Sequence, residues 1–162
     1  MHMSEPAAVA AGIASLGVVI INSKRGKSVK ILQVAMLVFF IILSIFAIFL
    51  DLERHWLWVR IGSSLFFAIA ALISILIKKP LTLQYAREQV PKEKWNTPEF
   101  IQTNYAVSWT WFFVFIAYLI IPALRLCGFN ISKVFGAVFA VTIALAALKF
   151  SLWYPRRMHL VK

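Results

Sequence analysis

Five stretches of this chain are apolar for about the length of a membrane crossing, and no other feature constrains the fold as strongly. They cover residues 6–21, 31–50, 57–77, 105–121 and 134–154. Crossing about 30 Å of hydrocarbon takes about 20 residues of α-helix. Because the runs have no polar face at helical period, they are typical of lipid-embedded helices. We expect an all-α membrane protein built as a compact bundle of five transmembrane helices, with a short interfacial helix between the third and the fourth.

The composition excludes an ordinary soluble domain. Hydrophobic residues make up 62% of the chain and charged residues 14%, whereas soluble domains average about 45–50% and about 25%. A transmembrane β-barrel needs strands of about ten residues with alternating polarity, and the sequence lacks that pattern. Its 162 residues are about the length of one domain, so we interpret 1–162 as a single transmembrane domain.

Positive charge is concentrated in the gaps between apolar runs. Lys and Arg total 17 against 6 Asp and Glu, a formal net charge of +11. In a soluble protein this balance would indicate nucleic acid. Here we expect no nucleic-acid partner, because cations in short loops keep those loops cytoplasmic and attract anionic headgroups. The basic gaps lie at 24–30, 78–94 and 156–162, and the few cations on the other side are Arg54, Arg60, Arg125 and Lys133.

This asymmetry predicts five crossings, with the N-terminus outside and the C-terminus in the cytoplasm. Helices in lipid associate where small residues let their backbones approach closely, so stripes of small residues are expected inside the bundle. The stripes are Ala8 and Gly12 in the first run, Ser64 and Ala68 in the third, and Gly136, Ala140 and Ala144 in the fifth. The Phe-rich second run has no such stripe and is expected to face lipid.

The connection 78–104 is far longer than two neighbouring helices need. Within it, residues 81–90 place Leu83, Ala86 and Val90 on one helical face and Gln84, Arg87 and Glu88 on the other, before Pro91. This pattern predicts a short amphipathic helix in the membrane interface. Thr97-Pro98-Glu99 then combines a capping hydroxyl, proline at the first helical position and an acid in the first turn. The fourth helix is predicted to begin near Pro98 and to end before Pro122.

A polar cluster of Asn104, Tyr105, Ser108 and Thr110 lies where the fourth helix enters the membrane. Two interpretations are open. The cluster can supply hydrogen bonds between helices, worth about 0.6 kcal/mol a pair, or it can form a small pocket with the 78–104 segment that binds a lipid headgroup or a partner's peptide. The candidate lipid- or partner-binding residues are Lys78, Lys79, Tyr85, Arg87, Glu88, Trp95 and Asn104.

The sequence contains no recognisable catalytic or cofactor-binding arrangement. No Asp, Glu or His lies in the middle of a run, which disfavours a buried proton relay. His55 and His159 are predicted on opposite sides of the membrane, and no zinc-type spacing occurs. A Gly-rich phosphate loop and a nucleophile elbow are also absent. We therefore expect no metal, no cofactor and no enzymatic activity. We interpret the single cysteine, Cys127, as a residue without a chemical role, with a lipidation or reactive site as the less favoured alternative.

Three sequence patterns in the second half occur in an order that resembles a known family. They are Lys78-Lys79-Pro80-Leu81 after a run, Trp109 followed by Phe112-Phe113, and Lys133-Val134-Phe135-Gly136 opening the last run. Over residues 78–154 the chain resembles the intracellular septation protein A family of Gram-negative inner membranes, although the runs 85–91 and 96–99 are distinctive. The resemblance implies a non-enzymatic inner-membrane protein linked to division and envelope synthesis, which acts through other membrane proteins.

The leading hypothesis is a bacterial inner-membrane protein of structural or interaction type that docks anionic lipid or a partner protein through 78–104. The alternative is a small oligomeric transporter or channel for a neutral or lipid-like solute, because five short helices enclose little pore volume alone. A membrane enzyme using Tyr85, Arg87, Glu88 and Asn104 ranks third, because these residues indicate no reaction class.

Overall fold

The computed structural model describes residues 30–49 and 55–158, with isolated helical positions at Ala10, Ile13, Ala14, Leu16, Gly17 and Ile20. These residues are helical or irregular and include no strand, which confirms the all-α class for this part of the chain. The helices are α1 (Ile31–Phe49), α2 (Trp56–Leu76), α3 (Leu83–Ala86), α4 (Pro98–Ala117), α5 (Ile120–Leu126) and α6 (Lys133–Arg157). A 3-10 turn covers Lys92–Lys94. The predicted first crossing, 6–21, lies largely outside the described residues.

Within residues 30–49 and 55–158, three helical segments are long and apolar enough to cross a membrane, namely Trp56–Leu76, Pro98–Leu126 and Lys133–Arg157. The apolar stretch Ile31–Phe46 in α1 is shorter. Helices of this length and composition are characteristic of a membrane protein.

The helices alternate in direction. α2 packs most extensively against α4, α4 also packs against α6, and α1 packs on α2. The last contact includes the Phe39 ring, whose centroid lies 5.4 Å from that of Phe66 and 5.2 Å from that of Phe67. Residues that follow α2 contact the start of α1, the start of α4 and the end of α6, so these four helix termini meet at one end of the bundle. We call this the basic end.

Small residues line the helix contacts, as the third and fifth runs predict. Ser64, Ala68, Ala71 and Ser74 are buried on α2. Gly136 is buried on α6, where an added Cβ would lie 3.2 Å from the Cγ2 atom of Ile121 in α5. The corresponding prediction for Ala8 and Gly12 falls outside the described residues. From Ile31 to Phe46, the side chains of α1 are partly or fully exposed and none is buried; Ile41 and Ile45 are each about half exposed. That the second run faces lipid stays a prediction.

α2 ends in a Schellman motif with lysine in the left-handed position. The N–H of Lys79 donates to the Ser74 carbonyl, and the N–H of Lys78 donates to the Ile75 carbonyl. Lys78 has a φ of 57°, a conformation in which glycine is usual because it has no Cβ. Pro80 follows and is buried, which prevents the helix from continuing.

α4 begins at Pro98, as the Thr97-Pro98-Glu99 pattern predicts. The Thr97 hydroxyl accepts a hydrogen bond from the N–H of Phe100 at 3.4 Å, and Glu99 lies in the first turn. These features are local in sequence, so the helix start could be predicted without knowledge of the tertiary structure.

The prediction that the fourth helix ends before Pro122 is confirmed, although a second short helix follows it directly. α4 ends at Ala117, and α5 starts at Ile120, after two intervening residues, and contains Pro122 in its first turn. Proline has no N–H to donate to the carbonyl four residues before it, here that of Tyr118. The helix is interrupted at 118–119, and Pro122 lies where α5 has no intrahelical use for a donor.

The amphipathic helix predicted over 81–90 is shorter in the structure. Its α-helical part is limited to Leu83–Ala86, and the N–H groups of Glu88 and Gln89 bond to carbonyls three residues back. The predicted faces are nevertheless correct, because Leu83, Ala86 and Val90 pack with Phe100 of α4. The apolar face therefore lies against the bundle.

Candidate functional site

The basic end carries exposed cations from two distant parts of the chain. They are Lys78, Lys79, Arg87, Lys92 and Lys94 in the connection and Arg156 and Arg157 at the end of α6. These residues outnumber the carboxylates of Glu88, Glu93 and Glu99 at the same end. Lysine and arginine at the C-termini of α2 and α6 also interact favourably with the helix dipoles.

The segment after α2 holds the start of α1 through Lys30. The Lys30 Nζ atom lies 2.8 Å from Glu88 Oε2 and 4.0 Å from the centroid of the Tyr85 ring. One residue on, the backbone N–H of Ile31 donates to Gln84 Oε1 at 2.7 Å. Gln84 and Glu88 share a helical face, so one short stretch caps α1 and neutralises the cation that precedes it.

Tyr85 has the environment of a neutral hydrogen-bonding phenol. Burial of the ring, and then the neighbouring Glu88 carboxylate, raise the pKa of Tyr85 above its ordinary value of 10.0. Both effects disfavour the phenolate. The hydroxyl therefore stays protonated at neutral pH and can donate a hydrogen bond.

Arg87 and Trp95 form a separate pair on the outside of the segment. The Arg87 Cζ atom lies 5.3 Å from the Trp95 ring centroid, and the Trp95 indole N–H donates to the Val90 carbonyl at 2.9 Å. Stacking of guanidinium on indole is favourable. This pair fixes the turn around Pro91 and presents one cation at the surface.

The polar cluster on α4 divides between two roles. Thr82 joins the segment to α4, because its hydroxyl donates to the Asn104 carbonyl at 3.0 Å and lies 3.1 Å from Ser108 Oγ. The Asn104 side-chain amide donates to the Phe100 carbonyl, and the Thr110 hydroxyl donates to Ala106 within the same helix. Ser108 thus has the first of the two predicted roles, a hydrogen bond between segments. Asn104 forms hydrogen bonds and also borders a cavity.

That cavity, of about 280 Å³, lies between the segment, α4 and α6. We call it the polar cavity. Each wall is one helical face with a spacing of three and four residues. The walls are Thr82, Tyr85, Ala86, Gln89 and Val90 on the segment, Phe100, Thr103, Asn104, Val107 and Trp111 on α4, and Leu148, Ser151, Leu152, Pro155 and Arg156 on α6.

Two polar groups in these walls lack their usual partners. Thr103 is 3% exposed, and its Oγ1 atom has no hydrogen-bond partner in the structure. A buried hydroxyl left unpaired costs about 1–3 kcal/mol. On α6, Pro155 has no N–H, so the Ser151 carbonyl loses the donor that a helix normally supplies four residues on. The polar cavity therefore offers the Thr103 hydroxyl to an occupant.

A second cleft lies at the opposite end of the bundle, between α2, α5 and α6. It has a volume of about 300 Å³ and is bordered by Arg60, Ser63, Ser64 and Tyr118 together with the small-residue stripe of α6. The Tyr118 hydroxyl donates to the Ala140 carbonyl at 3.1 Å. Nearby, Arg60 and Arg125 approach the Trp56 ring centroid at 5.9 and 5.1 Å.

The structure brings together part of the predicted set. Tyr85 and Asn104 border the polar cavity; Glu88 instead pairs with Lys30, Arg87 and Trp95 stack on the surface, and Lys78 and Lys79 terminate α2. Thr103, Ser151 and Arg156 also border the polar cavity, and none of them was among the predicted site residues. For Ser151 a signal was available as spacing, since it lies one turn before Pro155, whereas Thr103 has no such signal in the sequence.

No family model, curated protein or solved structure matches this chain. The resemblance to the septation family stays a prediction. Within residues 30–49 and 55–158, no three His, Cys, Asp or Glu side chains are grouped to hold a metal ion.

Proposed function

We propose that this chain is an integral protein of a bacterial inner membrane, of structural or interaction type, that docks anionic lipid headgroups at its basic end. In this proposal the basic end is cytoplasmic, the chain crosses the membrane five times and the N-terminus is outside. The predicted septation resemblance adds a role at the cell envelope, exerted through other membrane proteins.

One observation carries the proposal. Arg156 borders the same cavity as Tyr85 and Gln89, so cations at the end of α6 lie beside the cations of 78–94, far away in sequence. Each Lys or Arg near an anionic surface contributes about 1 kcal/mol to attraction. A cluster drawn from two segments at one end of the helices is the charge distribution that selects anionic headgroups.

The test replaces four exposed cations of the segment by glutamine, as K79Q/R87Q/K92Q/K94Q. Lys78 is kept because its backbone conformation terminates α2. In mixed phosphatidylglycerol and phosphatidylcholine bilayers, spin-labelled lipids report which headgroup is enriched around the protein. We expect the variant to lose most of the preference for phosphatidylglycerol while remaining inserted.

The matched control is R60Q/K133Q, which removes exposed cations from the opposite end. We expect the preference for phosphatidylglycerol to fall less for each charge removed in this control, because the cations at this end are fewer and more widely spread. An equal loss per charge at both ends would show that total charge, and not the basic end, attracts the lipid. That result would overturn the proposal.

Transport of a neutral or lipid-like solute is the second candidate. It is favoured by the hydroxyls of Ser63, Ser64 and Tyr118 in the cleft opposite the polar cavity, since a path without buried charges suits such solutes. Purified protein in liposomes would show solute flux proportional to the amount of protein. Flux that is the same in protein-free liposomes would exclude this candidate.

A further inference from the structure

We propose that the polar cavity holds one membrane phospholipid, with the phosphate at Arg156 and one acyl chain between α4 and α6. The inference deepens the proposed function and rests on it for one point only, namely that the basic end lies at headgroup level. The surface cations select lipids around the protein, whereas the polar cavity retains a single molecule.

The cavity has the polarity of one amphiphile. Arg156, Gln89 and Tyr85 lie at the basic end, and Trp111 and Leu148 lie deepest in the bundle. From Leu148 to Arg156 the helix rises about 12 Å, at 1.5 Å a residue. A phosphate at one end and hydrocarbon at the other match this gradient.

Between these ends lies the buried Thr103 hydroxyl, which has no partner. It can donate to an ester or phosphate oxygen of a lipid. A buried hydroxyl normally finds a partner in a folded protein. The occupant is therefore a molecule that carries hydrogen-bonding atoms below the level of its phosphate.

The shape of the cavity favours a lipid over a small molecule that would be enclosed completely. Its α6 wall includes Leu148 and Leu152, which are 46% and 63% exposed, so the cavity opens sideways between helices. At about 280 Å³ it is slightly below the range of about 300–1,000 Å³ that holds whole drug-sized ligands. It accommodates one chain and the adjoining polar atoms, while the rest of the lipid stays in the bilayer.

The experiment counts lipid retained by the full chain in native mass spectrometry after release from phosphatidylglycerol and phosphatidylcholine nanodiscs. We expect one retained phosphatidylglycerol on the wild type. Arg156→Gln removes a charge-assisted contact and should weaken retention about tenfold. Thr103→Val keeps the side-chain shape, removes the hydroxyl and should weaken retention several-fold.

Two control variants remove the same groups elsewhere. Thr110→Val deletes a hydroxyl that bonds to Ala106 on the same helix, and Arg157→Gln deletes a cation whose Cζ lies 5.2 Å from the Trp153 ring centroid. Neither residue borders the cavity, so both variants should retain lipid as the wild type does. Ser151→Leu, which fills the cavity, should abolish retention and show that the site is inside the bundle.

Loss of lipid in Thr103→Val and Arg156→Gln, with retention in their controls, supports the inference. Equal retention in Thr103→Val and Thr110→Val, or no retained lipid on the wild type, overturns it. Displacement of the bound species by inorganic phosphate would identify a free-anion site and also overturn it. The K79Q/R87Q/K92Q/K94Q variant separates the two proposals, because it should lose headgroup preference in the surrounding bilayer and still retain the cavity lipid.

Discussion

Lys78 combines a backbone role with a surface charge. It occupies the left-handed position that ends α2, with a φ of 57°, and it is exposed. A residue with a Cβ pays about 1–2 kcal/mol in this conformation, whereas glycine avoids that cost and loses more chain entropy on folding. The position is therefore one where the lysine side chain is retained at the expense of stability.

We expect Lys78→Gly to stabilise the protein by about 1 kcal/mol, the difference between the relieved strain and the added chain entropy. The measurement is unfolding in a detergent mixture that denatures helical membrane proteins reversibly. Lys79→Gly is the matched control, because Lys79 follows the left-handed residue and should gain nothing. Equal stability changes in both variants would contradict this account of the helix end.

Single residues also show why part of the site could not be predicted from sequence. Glu88 was a candidate ligand because it is a carboxylate in a long connection, yet it pairs with Lys30, 58 positions away. Thr103 carries no special pattern in the sequence, and its importance comes from a neighbourhood without a hydrogen-bond partner. Both facts depend on contacts between distant segments.

Among the helices, the start of α4 could be predicted from local sequence signals, whereas the extent of α3 is determined by tertiary contacts. The start of α4 follows from a capping threonine and a proline within three residues. The extent of α3 does not, because Thr82 is fixed to α4 at one side and Val90 is buried against Phe100 at the other. The chain between these anchors tightens into turns after Ala86.

The contact between α3 and α1 gives a second prediction. Gln84→Ala should leave the Ile31 N–H without its side-chain acceptor, at a cost of about 1 kcal/mol, as for other lost helix caps. Hydrogen–deuterium exchange of the first turn of α1 should then be about fivefold faster. Gln102→Ala, an exposed position on α4, is the control, and equal exchange in both variants would show that Gln84 does not stabilise α1.

For the whole molecule, the single cysteine provides a direct test of orientation. Cys127 is exposed in the connection between α5 and α6, at the end opposite the basic end. With the basic end cytoplasmic, a membrane-impermeant maleimide should label Cys127 in intact cells. Asn96→Cys in a Cys127→Ser background places the thiol at the basic end and should be labelled only after permeabilisation.

Labelling of position 96 and not of Cys127 in intact cells would reverse the proposed orientation.

Charge distribution along the sequence was sufficient to place the cations of 78–94 and 156–157 at one end, because consecutive crossings alternate in direction. It could not predict the polar cavity, whose three walls come from segments far apart in the chain.

The contacts with Lys30 connect the start of α1 to residues 84–88, which follow α2 in the chain. These two stretches flank the hairpin that α1 and α2 form. Because Gln84, Tyr85 and Glu88 hold the beginning of α1, a force applied to the connection is transmitted to α1 without passing through the other helices. A displacement of residues 84–88 is therefore expected to move the start of α1 with it, since Lys30 and Ile31 are bonded to this stretch.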